Sequence, residues 1–210
     1  MTHPFTTFYI IRHGESEGNV QHILQGQIDF PLTPQGEAQA LARSQSLRDI
    51  AFDMVFSSDL LRAHKTAEIL AEERNLTVAV TKALRERCFG KFEGLSDDVL
   101  NEEARAIFDR WYHMTDDQWM KHRIDPQAET GEEIVYRFMR FIREIAVTHP
   151  GKTVLAVSHG DIMRNMLIHL GWGTRDELGR GAIHNTGYVV LNSDGSDIAV
   201  VETKGVVKTS

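Results

Sequence analysis

Two short motifs in the chain pose a chemical question. Arg12-His13-Gly14 and Ser158-His159-Gly160 each place an imidazole directly before a glycine. Each comes after an apolar run, Phe8-Tyr9-Ile10-Ile11 in one case and Thr153-Val154-Leu155-Ala156-Val157 in the other. Apolar, β-branched runs of this length that stop at a turn read as buried strands. A third run, Met54-Val55-Phe56, stops at Ser57-Ser58, and Arg62 comes about one turn into the next helix. In open α/β sheets, ligands bind beyond the carboxyl ends of the strands. Three strand ends thus aim two imidazoles and two guanidiniums, Arg12 and Arg62, at one place. Such a cluster calls for an anion, and the planar fork of arginine suits phosphate or carboxylate. Taken singly, each residue has a plainer reading: a hydrogen-bonded strand-end histidine, a solvated helix arginine, a turn-forming glycine. Only the joint pattern favours a site.

The elements that must hold these residues alternate between strand and helix. Thr33-Pro34 is an N-cap with proline at the first helical position, and predicts a helix over 34–49 with Ala38, Leu41, Ala42 and Leu47 on its apolar face. A helix after Ser58 carries Leu60, Leu61, Ala67, Ile69 and Leu70, and a short strand comes next near 78–80. Gly131 to His149 reads as a long amphipathic helix closed by Pro150-Gly151. A helix over 161–170 and two strands, near 186–192 and 197–203, complete the chain. The expected fold class is α/β: a three-layer α/β/α sandwich around a mostly parallel sheet. The segment from about 96 to 130 is acidic and aromatic, and reads as a helical insertion or lid on a single domain spanning 1–210. Its Trp111, Tyr112 and Trp119 fit core packing before substrate stacking.

Composition narrows the function classes. The chain has 210 residues, 41% hydrophobic and 25% charged, with net charge −7. That is an ordinary globular balance, and its sign argues against nucleic acid or an anionic membrane as partner. No apolar run approaches the roughly 20 residues of a bilayer-spanning helix, and Met1-Thr2-His3-Pro4 lacks a signal-peptide pattern, so a cytoplasmic location is expected. The lone Cys88 excludes an internal disulfide and a cysteine-built zinc site. Ten histidines invite a metal hypothesis. No carboxylate and histidine set with consistent ligand spacing accompanies them, so neither a metal nor another cofactor is expected. His64, His113, His122, His149, His169 and His184 read as surface or core residues.

An ordered series of motifs then resembles the histidine phosphatase superfamily, in its phosphoglycerate mutase-like branch. It comprises Arg12-His13-Gly14-Glu15, Asn19, Gln25-Gly26, Ser57-Ser58-Asp59-Leu60-Leu61-Arg62-Ala63, Thr66-Ala67, Leu84-Arg85-Glu86, Phe89-Gly90, Glu93-Gly94 and Ser158-His159-Gly160. The resemblance implies that His13 is a nucleophile forming a phosphohistidine and that Glu86 is the proton donor to the leaving group. It implies further that Arg12, Arg62 and His159 hold the phosphoryl oxygens, with Asn19, Gln25, Gly26 and the Gly160 N–H completing the cradle. Glu15 and Ser57 would orient the site. A neutral imidazole can attack if a hydrogen bond at its other nitrogen fixes the tautomer. Glu86 has a competing reading, as a surface carboxylate paired with Arg85 or Arg87.

The expected activity is metal-independent hydrolysis of a small-molecule phosphate monoester. The alternatives are a phosphoglycerate mutase and, in a different class, a catalytically silent phospho-ligand binder. A mutase needs extra cations over the pocket, and the paired-arginine motif preceding Ser-Tyr is not found. The corresponding stretch, residues 95–103, is acidic and would repel an anionic substrate tail, which suggests a pocket suited to apolar or neutral leaving groups. Lys121, His122 and Arg123 are the candidate substitutes. A silent binder would be expected to lack one of His13, His159 and Glu86. The oligomeric state is left open, a homodimer being one option.

Overall fold

In the computed structural model, residues 4–96, 99 and 101–209 are described. The acidic positions Asp97 and Asp98 fall outside them. In chain order the main elements are β1 (Thr6–Arg12), α1 (Glu17–Val20), α2 (Pro34–Ser46), β2 (Met54–Ser57), α3 (Leu61–Glu72), β3 (Val78–Val80), α4 (Glu102–Tyr112), α5 (Asp116–Lys121), α6 (Gly131–Thr148), β4 (Thr153–Ser158), α7 (Gly160–His169), β5 (Ile183–Ser193) and β6 (Ile198–Val206). One six-stranded sheet runs in the order β3-β2-β4-β1-β5-β6. Its first four members in that order pair in parallel, whereas β5 pairs antiparallel with both β1 and β6. The sheet is therefore mixed, with the parallel part carrying the strand ends singled out above.

The layers arise from side-chain alternation. Phe8, Ile10, Val154, Ala156, Val189 and Leu191 pack with α6 and α7 on one face of the sheet. Ile11, Val55, Leu155, Val157 and Val190 face the other way, onto Ala63, Ala67 and Leu70 of α3. β4 is buried along nearly its whole length, as a central strand covered on both faces must be. A separate apolar cluster, built around Phe89, Phe92, Trp111 and Trp119, lies under α4 and α5. Trp111 and Trp119 stack at 5.4 Å and pack as core, whereas Tyr112, expected to do the same, is 44% exposed because it lies at the outer side of α4. Among the described residues no helix is long and apolar enough to cross a membrane.

Helix boundaries track the capping chemistry. Thr33 accepts from the Gly36 N–H with Pro34 at the first helical position, and Thr130 with Glu133 forms a complete capping box on α6. The face of α2 differs from expectation. Ala38, Leu41 and Ala42 are exposed, while Gly36, Ala40 and Ser44 are buried together with Leu47 beyond the helix end. Small side chains turn inward because α2 lies very close to the loop after β1. A Cβ on Gly14 would lie 2.4 Å from the Gly36 carbonyl oxygen, and one on Gly36 would lie 2.0 Å from that of Glu15. Close approach, not hydrophobicity, selects this face. On α3 Leu61 is likewise exposed, and Arg62, Thr66 and Leu70 line the buried side.

Candidate active site

Parallel pairing brings the two motifs together. Arg12 is the register partner of Ser158, and the His13 N–H donates to the Ser158 carbonyl at 3.0 Å. One residue beyond each strand, the rings of His13 and His159 stand 5.2 Å apart between centroids. On the other side of β4, the Ser58 N–H donates to the Val157 carbonyl, which sets where α3 begins and where Arg62 points. The Gly14 N–H donates to Thr66 Oγ1, which in turn donates to the Arg62 carbonyl. The loop after β1 that carries His13 and the helix that carries Arg62 are thus tied directly.

The His13 ring is 3% exposed, and its Nδ1 lies 2.6 Å from the Gly14 carbonyl oxygen. A carbonyl only accepts, so Nδ1 carries the proton and Nε2 keeps its lone pair. Burial, and after it the Arg62 and Arg12 charges, holds the imidazole well below its ordinary pKa. His159, fully buried, is held down in the same way by burial and then by Arg62. Neither of its ring nitrogens has a hydrogen-bond partner.

Both arginines are fixed by backbone carbonyls. Arg12 Nη1 donates to Ile183, and Arg62 donates through Nη1 to Ile28 and through Nη2 to Gly26. Arg62 is 1% exposed, so it is not the solvated helix charge of the plainer reading. The Nε atoms of both arginines are buried without a partner. A buried donor left unpaired costs about 1–3 kcal/mol. Two guanidinium N–H groups and an imidazole in that condition at one spot form a set that a phosphoryl group's oxygens would satisfy together.

The remaining predicted residues gather around this core. Asn19, Gln25, Gly26 and Gly160 line the same cavity, of about 880 Å³, as Arg12, His13, Arg62 and Glu86. Asn19 Oδ1 accepts from the backbone N–H and the hydroxyl of Ser16, and that hydroxyl lies 2.9 Å from Gln25 Oε1. Gly26 has φ +49, and its carbonyl is one of the two that hold Arg62. A Cβ on Gly160 would lie 3.3 Å from Arg12 Nε, so the glycine lets the guanidinium approach. Glu15 accepts from the Thr33 hydroxyl, and Ser57 is buried and donates to the Ser58 carbonyl.

Glu86 is half-buried and pairs with neither neighbouring arginine. Arg85 is bound to Asp59 and Arg87 to Asp161. The Glu86 carboxylate instead accepts from three backbone amides: those of Arg87 and Ile162 at Oε1, and that of Asp161 at Oε2. Two of these belong to the first turn of α7, whose own N-cap residue, His159, supplies no side-chain cap. Amide donors and the helix dipole favour the ionised carboxylate. Burial and then the adjacent Asp161 charge act the other way and prevail, so its pKa is raised.

Several cavity residues carry no sequence signal of their own. His22, Arg105, Asp161, Arg164 and Arg180 line it, and the Asn185 amide and Thr186 N–H both donate to the His13 carbonyl. Thr186 holds φ 56, a strained conformation for a β-branched residue. The expected substitutes Lys121 and Arg123 are paired elsewhere, with Asp117 and Glu133, and with His122 they lie outside the cavity lining. Cys88 lies outside it too, its thiol donating to the Gln127 carbonyl. Arg105 and Arg180 line the cavity together with the carboxylates of Asp109 and Asp161. Among the described residues no three His, Cys, Asp or Glu side chains are arranged to hold a metal ion.

Comparison with known proteins agrees with this geometry. A family model of the histidine phosphatase superfamily (branch 1) matches residues 8–204. The chain is 32% identical over 168 residues to the uncharacterized phosphatase PhoE of Bacillus subtilis, covering 80% of this chain and 79% of that one. It is 34% identical over 152 residues to the probable phosphoglycerate mutase GpmB of Cronobacter sakazakii, covering 72% and 68%. Among solved structures, YhfR of Bacillus stearothermophilus superposes with a TM-score of 0.83 at 27% identity, over 96% of this chain and 98% of that one. With the two strand-end histidines and their arginines found where the motifs put them, the chain belongs to the histidine phosphatase superfamily, branch 1.

Proposed function

We propose that the protein hydrolyses phosphate monoesters in two steps through a phosphohistidine at His13, without a metal. The observation that carries this reading is the Nδ1 contact of His13 with the Gly14 carbonyl, in a cavity that Arg12 and Arg62 also line, with the buried His159 ring 5.2 Å behind the His13 ring. Nε2 attacks phosphorus in line while the leaving oxygen departs. Charge developing on the three equatorial oxygens is met by the two arginines, the His159 ring and the Gly160 N–H. Glu86, protonated, gives its proton to the departing alkoxide. The resulting carboxylate then takes a proton from the water that attacks the phosphohistidine, which restores both groups. As it becomes ionised, the α7 amides stabilise it.

Arg105 and Arg180, in the same lining as Asp109 and Asp161, are the cations that a leaving group with a further negative charge would meet. The same observation supports a second reading, phosphoryl transfer between hydroxyls of such a compound, in keeping with the mutase name of one relative. The α4–α5 segment, which supplies Phe108, Trp111 and Tyr112 to the cavity wall, is proposed as its cover. Steady-state release of phosphate from para-nitrophenyl phosphate under excess chelator tests the main reading, run beside 3-phosphoglycerate with and without a bisphosphoglycerate primer. Chelator-resistant hydrolysis without isomerisation is expected. Primer-dependent isomerisation with little hydrolysis would establish the second reading. Phosphate binding with no turnover of any ester would leave a silent binder.

A further inference from the structure

Three features outside the reacting groups converge on Glu86. The N–H of Asp161 donates to Glu86 Oε2, so residue 161 is fixed against that carboxyl. Its own carboxylate lies in the same cavity lining, between two guanidiniums: Arg87 Nε is 2.9 Å from Oδ2, and Arg164 Nη1 is 3.7 Å from Oδ1. Arg87 is itself pinned, its guanidinium 5.1 and 5.2 Å from the ring centroids of Trp111 and Trp119, with Nη2 donating to Asn165 Oδ1.

We propose that Asp161 is a positioning residue that keeps Glu86 protonated for proton donation, and that Arg87 sets how much of its charge Glu86 feels. The inference rests on the reading of Glu86 as the acid. The surroundings show why such a residue is needed. Arg62 on α3 and Arg12 at the end of β1 line the cavity with Glu86, as does His13, whose ring packs on the buried His159. Arg137 on α6 donates to its backbone carbonyl and is matched by Glu129. Glu93 lies outside the cavity lining and accepts from the Gln27 and Phe89 amides. Three backbone amides and two arginines therefore favour the ionised form. Asp161 is the negative charge that α7 sets beside the carboxyl, and together with burial it tips the balance towards the acid. Because Arg87 lies against both Trp111 of α4 and Trp119 of α5, the α4–α5 segment bears on how far that charge is neutralised.

The test is the pH profile of kcat/KM from pH 5 to 9 on two substrates. Glycerol 2-phosphate has an alkoxide leaving group that needs the proton, whereas para-nitrophenyl phosphate does not. For the wild type, an alkaline limb is expected with glycerol 2-phosphate alone, and Glu86→Gln should abolish it. Asp161→Asn, nearly isosteric, should move that limb down by about one pH unit, and at pH 7 lower the ratio of glycerol phosphate to aryl phosphate turnover roughly tenfold. Arg87→Met keeps an apolar stem against the tryptophans and should move the limb the opposite way. If that variant does not fold, the Asp161→Asn profile decides alone. A purely structural role would lower both substrates together and leave the limb in place. A limb that Glu86→Gln removes but Asp161→Asn does not move overturns the inference alone. A limb that survives Glu86→Gln overturns the assignment of the acid, and the inference with it.

Discussion

Two imidazoles held neutral inside a fold make its stability depend on acid in a calculable way. His13 is 3% exposed and His159 fully buried, and burial together with the Arg62 and Arg12 charges lowers both pKa values well below 6.5. In the unfolded chain both titrate near the ordinary value of about 6.5. When the pH falls below that value, the unfolded state takes up two protons that the native state refuses, and stability falls with pH. From pH 7 to 5.5, each group that stays neutral in the fold costs about 1.2 kcal/mol, or about 2.5 kcal/mol for the pair. Glu86 acts in the opposite sense: its raised pKa contributes stability at low pH that is lost as the pH rises. The clean measurement is therefore a difference. Urea midpoints at pH 7 and 5.5 should be compared for the wild type and for His13→Gln/His159→Gln, in which Glu86 is retained. The wild-type midpoint should fall by roughly 1 M more than that of the double variant, for a slope of about 2–3 kcal/mol per molar. Equal falls would mean that the histidines are charged or solvated in the fold, and the neutral nucleophile would have to be abandoned.

Other consequences are quicker to check. His13→Ala should abolish ester hydrolysis while leaving a cooperative melt, and a variant retaining more than a few per cent of turnover would refute the covalent mechanism. Glu86→Gln should slow alkyl phosphates by about 10²–10⁴-fold and aryl phosphates far less. Equal losses in single-turnover assays on the two would remove its role as acid. Gly36→Ala would set a methyl 2.0 Å from the Glu15 carbonyl oxygen, and overpacking of this kind costs about 1–3 kcal/mol. Its melting temperature should fall by about 2–4 °C per kcal/mol, and an unchanged melt would contradict the close packing of α2 on the nucleophile loop.

The site is legible in the sequence because its residues sit at the ends of buried strands. A strand such as Thr153–Ser158 announces itself by composition, and the residues just past its carboxyl end must lie at the edge of the sheet. Glu86 has no such address, since it comes after a short 3-10 turn at Lys82–Leu84, and its place depends on α7 rather than on any local pattern. Asp161, Arg164 and Arg180 give no signal because helix and loop residues reach the cavity only through tertiary packing. Asn185 and Thr186 hold the His13 carbonyl through a strained backbone conformation that periodicity does not encode. The α2 face departs from expectation for a related reason: hydrophobic patterning finds where apolar area goes, and this interface is governed by how closely two backbones can approach.

The strand order has a consequence for synthesis on the ribosome. β1 emerges first, yet its two neighbours in the sheet, β4 and β5, come from the last third of the chain. His13 therefore remains without His159, and without the Asn185 and Thr186 donors to its carbonyl, until residues 159–186 have left the exit tunnel. A nascent chain stalled before Thr153 can neither pair the central strand nor assemble the phosphoryl cradle. A product of translation truncated before Thr153 lacks the partners that hold His13, so activity should appear only after β4 and β5 have been made.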